Sequence, residues 1–120
     1  MDRRNWLEKL GGVIDAKDSE TFASYITENG TFRFGNNEPV MGRKEIDNYV
    51  AAFFNMIKKS EHSVVNFWEQ ESSIIWQGEV IYTRLDDKKV KVYFTNIFYM
   101  KDELIDQYLI YIDNSPLFAQ

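Results

Sequence analysis

Three polar side chains stand out in this 120-residue sequence by their type and placement. Asn96 breaks the aromatic series Tyr93-Phe-Thr-Asn-Ile-Phe-Tyr99, Glu79 sits in Gly78-Glu79-Val80, and His62, the only histidine, opens a strand-like segment. A buried amide must find partners, and a ligand oxygen would serve as well as a satisfied core contact. Glu79 has two readings. Turned inward, its charge is costly unless paired or protonated, which makes it a candidate acid; turned outward, it is an ordinary exposed strand charge. Imidazole is the side chain that ordinarily exchanges protons near neutral pH, so His62 either shuttles protons in a pocket or stands half exposed at a strand start.

Other chemistries lack their residues. There is no cysteine, which removes disulfides, thiolate zinc sites, iron-sulfur clusters and a cysteine nucleophile. A single histidine excludes a three-histidine metal centre, and the carboxylates show no His-x-His or paired-Asp spacing, so neither metal nor cofactor is expected. No Gly-x-Ser-x-Gly elbow or phosphate-cradling glycine loop is present. Lys plus Arg total 14 against 19 Asp plus Glu, a formal charge of -5, so nucleic acid is a poor partner. No apolar run approaches the length of a membrane span and the start lacks a signal-peptide core, so the chain reads as soluble and cytoplasmic.

The elements that must position these residues follow from periodicity. Trp6, Leu7, Leu10, Val13 and Ile14 recur at helical spacing between Arg3 and Asp15, with Gly11-Gly12 weakening the last turn. A second helix is expected from Asp18 to near Thr27, stopped by Asn29-Gly30, followed by short strands at Thr31 to Phe34 and Val40-Met41. Ile46, Tyr49, Val50, Phe53, Phe54 and Ile57 give the strongest helical pattern, with Lys58-Lys59 at its negative end. Four strand-like segments then run from His62 to Glu69, Ser73 to Leu85, Lys89 to Met100 and Glu103 to Asp113, joined by turns too short for parallel crossovers: an antiparallel meander. The second segment is too long to lie flat in so small a globule, so the sheet must curve, and helices on its concave side make a cone whose axis is hard to fill. Phe, Tyr and Trp total 19 residues, enough either to fill that core or to line a hollow in it; Phe34, Phe53, Trp68, Trp76, Tyr82, Phe98 and Tyr111 are the expected apolar wall. No linker or repeat divides residues 1–120, which read as one domain. Along the last segment, Ile105, Gln107, Leu109, Tyr111 and Asp113 alternate with Asp106, Tyr108, Ile110 and Ile112; both sets mix polar and apolar residues, so parity alone does not say which faces inward.

This order of elements, carried by Phe32-Arg-Phe-Gly35, Gly42-Arg-Lys-Glu-Ile46, Trp76-Gln-Gly-Glu-Val-Ile-Tyr-Thr-Arg84 and Tyr111-Ile-Asp-Asn-Ser-Pro-Leu-Phe-Ala119, resembles the SnoaL-like branch of the NTF2-like superfamily. The resemblance implies an α+β cone-shaped barrel, a curved antiparallel sheet wrapped over three helices, with a pocket between them. It also implies a homodimer packed through the sheet, and a small, mainly apolar ligand handled by binding alone or by cofactor-independent isomerase or cyclase chemistry. The alternative is a non-catalytic dimerisation or protein-interaction module with a filled core. By that resemblance Asp113 and Glu79 become candidate proton-transfer carboxylates, with Asn96, Tyr111 or His62 donating to a developing oxyanion. Asp113 equally suits a strand-end role, tying down the Asn114-Ser115-Pro116 turn. Leu109 stands where similar sequences often carry arginine, which removes a charged partner for Asp113. The epoxide hydrolase variant needs an arginine between two aspartates; Arg84 precedes Asp86-Asp87 and is expected to be solvated.

Overall fold

Two aspartates start the first two helices. Asp2 precedes α1 (Arg3–Asp15) and accepts from Arg4 N at 3.0 Å, while Asp18 precedes α2 (Ser19–Ser24) and accepts from Thr21 N at 3.1 Å. Each carboxylate satisfies a backbone donor that a helix start leaves unpaired. The structure, a computed structural model, describes residues 2–119. Gly11-Gly12 does not weaken α1, which runs on to Asp15. Gly11 is the point of closest approach to the sheet: a Cβ there would lie 3.4 Å from both His62 Cβ and Trp76 Cη2.

α2 ends at Ser24, short of the expected Thr27, and the chain passes through Tyr25 into β1 (Ile26–Phe34). Asn29-Gly30 therefore lies inside a strand, at an irregularity, and does not terminate a helix. Gly30 is required by crowding there, since a Cβ would stand 2.6 Å from Ile26 Cγ2 and 3.0 Å from Asp106 O. β2 (Val40–Met41) pairs back on β1, and α3 (Arg43–Phe54) follows, burying Ile46, Val50 and Phe54. Ile57 is buried beyond the end of α3, and Lys58-Lys59 do not cap it: Lys58 N donates to Thr83 O at 2.9 Å and Lys59 begins the next strand.

The remaining strands are β3 (Lys59–Gln70), β4 (Ser73–Thr83), β5 (Lys89–Lys101) and β6 (Leu104–Ile112), with a short α4 (Ser115–Phe118) after them. They form the expected antiparallel meander, and β1 joins its far edge in parallel with β6, giving the order β2-β1-β6-β5-β4-β3. Irregularities between Val64 and Asn66 in β3 and between Tyr99 and Met100 in β5 bend the sheet. The helices lie on one side of it, α1 against β3 and α3 against β1. This is the α+β cone expected from the sequence, a curved sheet wrapped over helices.

The bends settle the parity of β6. Ile105 and Tyr108 are both buried although three residues apart, and Ile110 follows on the same side, so Tyr108, Ile110 and Ile112 face the helices while Leu109 and Tyr111 face away. Registered rows cross the inner face: Trp76, Asn96, Ile110 and Phe34 form one, and Ile74, Phe98, Tyr108 and Phe32 the next. Between them the rings interlock, Phe98 and Tyr108 at 4.5 Å and Phe32 and Tyr108 at 5.1 Å between centroids.

Candidate functional site

Packing between α3, the end of α1 and the inner sheet face is incomplete, leaving a cavity of about 50 Å³. At about 10–15 Å³ of probe space per water, that is room for three to five water-sized groups. Phe22, Phe32, Val50, Phe53, Phe54 and Ile110 make most of the wall, and the half-buried Phe34, Tyr49 and Ile112 also border it. His62, Asn96, Tyr82 and Tyr108 bring the polar atoms.

His62 is held from outside the cavity by Asp15, the last residue of α1. Its Nδ1 lies 2.5 Å from Asp15 Oδ1, its backbone N–H donates to Oδ2 at 2.8 Å, and the Ser60 hydroxyl donates to Oδ1 at 2.8 Å. Burial pushes the Asp15 carboxyl up. The hydrogen bond and charge of His62, its backbone N–H and the Ser60 hydroxyl together outweigh burial and hold Asp15 below its ordinary 3.8. An ionised carboxylate only accepts, so the shared proton resides on Nδ1. In neutral His62 the lone pair is then on Nε2, which has no hydrogen-bond partner among the described residues. Phe94, Trp76 and Tyr82 surround the imidazole at 5.6, 6.1 and 6.4 Å between centroids.

Asn96 is 3% exposed, and its Oδ1 is buried without a partner among the described residues. Such an atom carries a desolvation cost that a bound ligand or water can relieve. Burial raises the Tyr82 and Tyr108 hydroxyls well above their ordinary 10.0, helped for Tyr82 by the charge of Asp15 and for Tyr108 by Tyr82.

Of the residues singled out from sequence, His62, Asn96, Phe34, Phe53 and Tyr82 border the cavity. Trp76 and Phe98 are fully buried behind it, and Trp76 Nε1 donates to Ser63 O at 3.3 Å. Four others lie elsewhere. Asp113 is exposed and accepts from Ser115 N at 3.1 Å, which holds its carboxyl below the ordinary value; this is the turn-tying role. Glu79 is on the outer sheet face, 3.5 Å from Lys91 Nζ. Tyr111 is on that face too, with the Arg33 guanidinium 5.3 Å above its ring, and Trp68 is 49% exposed. Arg84 is not solvated as expected: its guanidinium bonds Pro116 O at 3.2 Å and Asp86 at 3.1 Å, and its side chain is only 16% exposed.

Sequence reasoning missed Asp15 and Tyr108. Asp15 did carry a signal, because an acidic residue in the last turn of a helix opposes the helix dipole and is misplaced unless something else holds it.

The match to known families can now be set beside this geometry. The SnoaL-like domain family matches residues 5–108. The chain is a member of the SnoaL-like family. Solved structures similar to this SnoaL-like chain share its fold at low identity. A Catenulispora acidiphila protein with a ketosteroid isomerase-like fold, in complex with trimethylamine, is 13% identical with a TM-score of 0.86, covering 95% of this chain and 89% of its own. An M. tuberculosis LEH-like epoxide hydrolase is 10% identical with a TM-score of 0.78, covering 96% and 85%. The epoxide hydrolase/cyclase-like enzyme SalBIII, with a role in pyran ring formation in the polyether salinomycin, is 13% identical with a TM-score of 0.79, covering 94% and 92%. No curated protein matches the sequence.

Proposed function

We propose that this SnoaL-like protein binds a small, mainly apolar molecule in the cavity and moves a proton on it, as a cofactor-independent isomerase or cyclase. One observation carries the reading: an imidazole bordering an apolar cavity is fixed through Nδ1 by an ionised, half-buried carboxylate, leaving Nε2 without a partner among the described residues. In this arrangement Nε2 removes a proton from a carbon acid, and the electron pair passes onto the ligand's oxygen. Asp15 stabilises the imidazolium that forms. Return of the proton to a different carbon gives an isomer; attack of the carbanion on an internal electrophile gives a ring. Structural neighbours that include an epoxide hydrolase and a cyclase-like enzyme support reaction chemistry within such a cone.

The test is solvent deuterium uptake into ketone probes of graded size, followed by NMR. The expected result is uptake by the native protein and its fall to the uncatalysed rate in His62→Gln. Equal uptake by both proteins would overturn the proton-transfer role.

The outer face supports a second reading that does not exclude the first, pairing with a second copy. Val65, Trp68, Tyr93, Tyr99 and Tyr111 are each 44–68% exposed, an unusual concentration of large apolar groups. Sedimentation at micromolar concentration is expected to give a dimer, and a monomer would remove this reading.

A further inference from the structure

The geometry points to Tyr82 and Tyr108 as the pair that binds the ligand's oxygen, and to a small neutral carbonyl compound, nearer acetone in size than a fused-ring ketone, as the ligand class. This rests on the cavity being the site and goes beyond it in naming the recognition element and the size limit.

The tyrosines come from different rows, Tyr82 beside Val90 on β5 and Tyr108 beside Phe98, yet both border the cavity. They are 3% and 1% exposed, and neither hydroxyl has a hydrogen-bond partner among the described residues. Nor does either belong with the fully sealed, partnerless atoms, which are Arg33 Nε, Thr83 Oγ1 and Asn96 Oδ1. Each hydroxyl thus keeps some accessible surface, and both residues border the void. The hydroxyl of a third tyrosine at the wall, Tyr49, accepts from the exposed Asn37 Nδ2 at 2.8 Å, which places it at the surface and not over the void. With both hydroxyls raised by burial, they are neutral donors throughout the ordinary pH range.

The same inventory selects the ligand. No free anion faces the cavity to favour an ammonium ion, because both Asp15 oxygens are taken by His62 and Ser60. A carboxylate would need a cation, and no Lys or Arg borders the cavity. Two donors beside the Nε2 of the imidazole's neutral form match a carbonyl oxygen with an adjacent C–H. The void of about 50 Å³ is well below the ~150 Å³ that holds a benzene ring, so a ligand nearer acetone in size is favoured over a fused-ring one.

The experiment titrates protein carrying isotope-labelled tyrosine with acetone, with isobutene, which has the same shape without the oxygen, and with the bulkier ketone camphor. Acetone is expected to shift both ring signals saturably, isobutene to bind at least fivefold more weakly, and camphor to leave both signals in place. Tyr82→Phe and Tyr108→Phe are each expected to weaken acetone binding about fivefold while leaving isobutene binding unchanged, which also shows that the variants are folded. Isobutene binding as well as acetone would overturn the role of the hydroxyls and leave the apolar cavity standing. Camphor binding as tightly as acetone would overturn the size limit. If no probe moves either signal the inference fails, and deuterium uptake dependent on His62 would show that the proton-transfer reading survives it.

Discussion

The inner and outer faces of the same sheet treat similar residues in opposite ways. Inside, Asp15 is gripped by three donors, His62 is oriented by one of its oxygens, and Asn96, Tyr82 and Tyr108 are left with capacity to spare. Outside, Glu79 meets Lys91 at 3.5 Å, Asp113 caps a turn, and Tyr111 rests under Arg33, all with water at hand. A carboxylate on the wet face gains little from its partner, because solvent competes for both. On the dry face each polar group is either matched by protein or left for a ligand. Residue type alone therefore did not locate the chemistry; the face did.

Four experiments would break or sharpen this contrast. The largest effect is expected from Asp15→Asn, which removes the charge behind His62: deuterium uptake should fall about 100-fold or more, whereas Glu79→Gln should leave it within about twofold. Comparable losses in both would erase the distinction between the faces. The next concerns two glycines. A Cβ at Gly78 would lie 2.3 Å from Phe94 Cζ and 2.7 Å from Ser63 O, and one at Gly12 would meet nothing within 4 Å. Urea denaturation should show Gly78→Ala destabilised by about 1–3 kcal/mol from overpacking. Gly12→Ala should be stabilised by about 0.5–1 kcal/mol from helix propensity.

Acid should separate the two kinds of carboxylate as well. Folding lowers the Asp15 carboxyl below 3.8, so the folded state binds fewer protons, and stability from this group is complete above that pH and lost as pH falls through the folded value. The stability advantage of native protein over Asp15→Asn is thus expected to be full at pH 5 and to shrink below pH 3.8, measured by urea unfolding across that range. A pH-independent gap would mean that packing, not charge, holds Asp15. The smallest effect belongs to Glu79→Gln, whose stability change should stay within about 0.5 kcal/mol by the same measurement.

Much of the architecture was legible because periodicity reports burial. The α1 stripe, the α3 stripe and the meander with its short turns all emerged from alternation of apolar residues. What escaped was set by non-local contacts. Asn29-Gly30 reads locally as a helix stop, and only the crowding against Ile26 and Asp106 makes it part of a strand. The parallel pairing of β1 with β6 joins residues far apart in sequence and leaves no local mark. At the site, Asn96 was visible as a polar break in an aromatic run and His62 as the one histidine of the sequence. Tyr108 was hidden because the bends in β5 and β6 reset the alternation, and Asp113 and Glu79 were read into the site from a motif whose face the sequence did not specify.

Asp15 and His62 are 47 positions apart, and neither belongs to the other's element. The proposed proton-handling pair thus depends on the first helix settling against the third strand. The same separation makes the chemistry detachable in evolution: one replacement at the tip of that helix silences the imidazole while every rung of the ladder stays intact. A scaffold built this way can lend its hollow to binding alone, or regain reactivity, without being rebuilt.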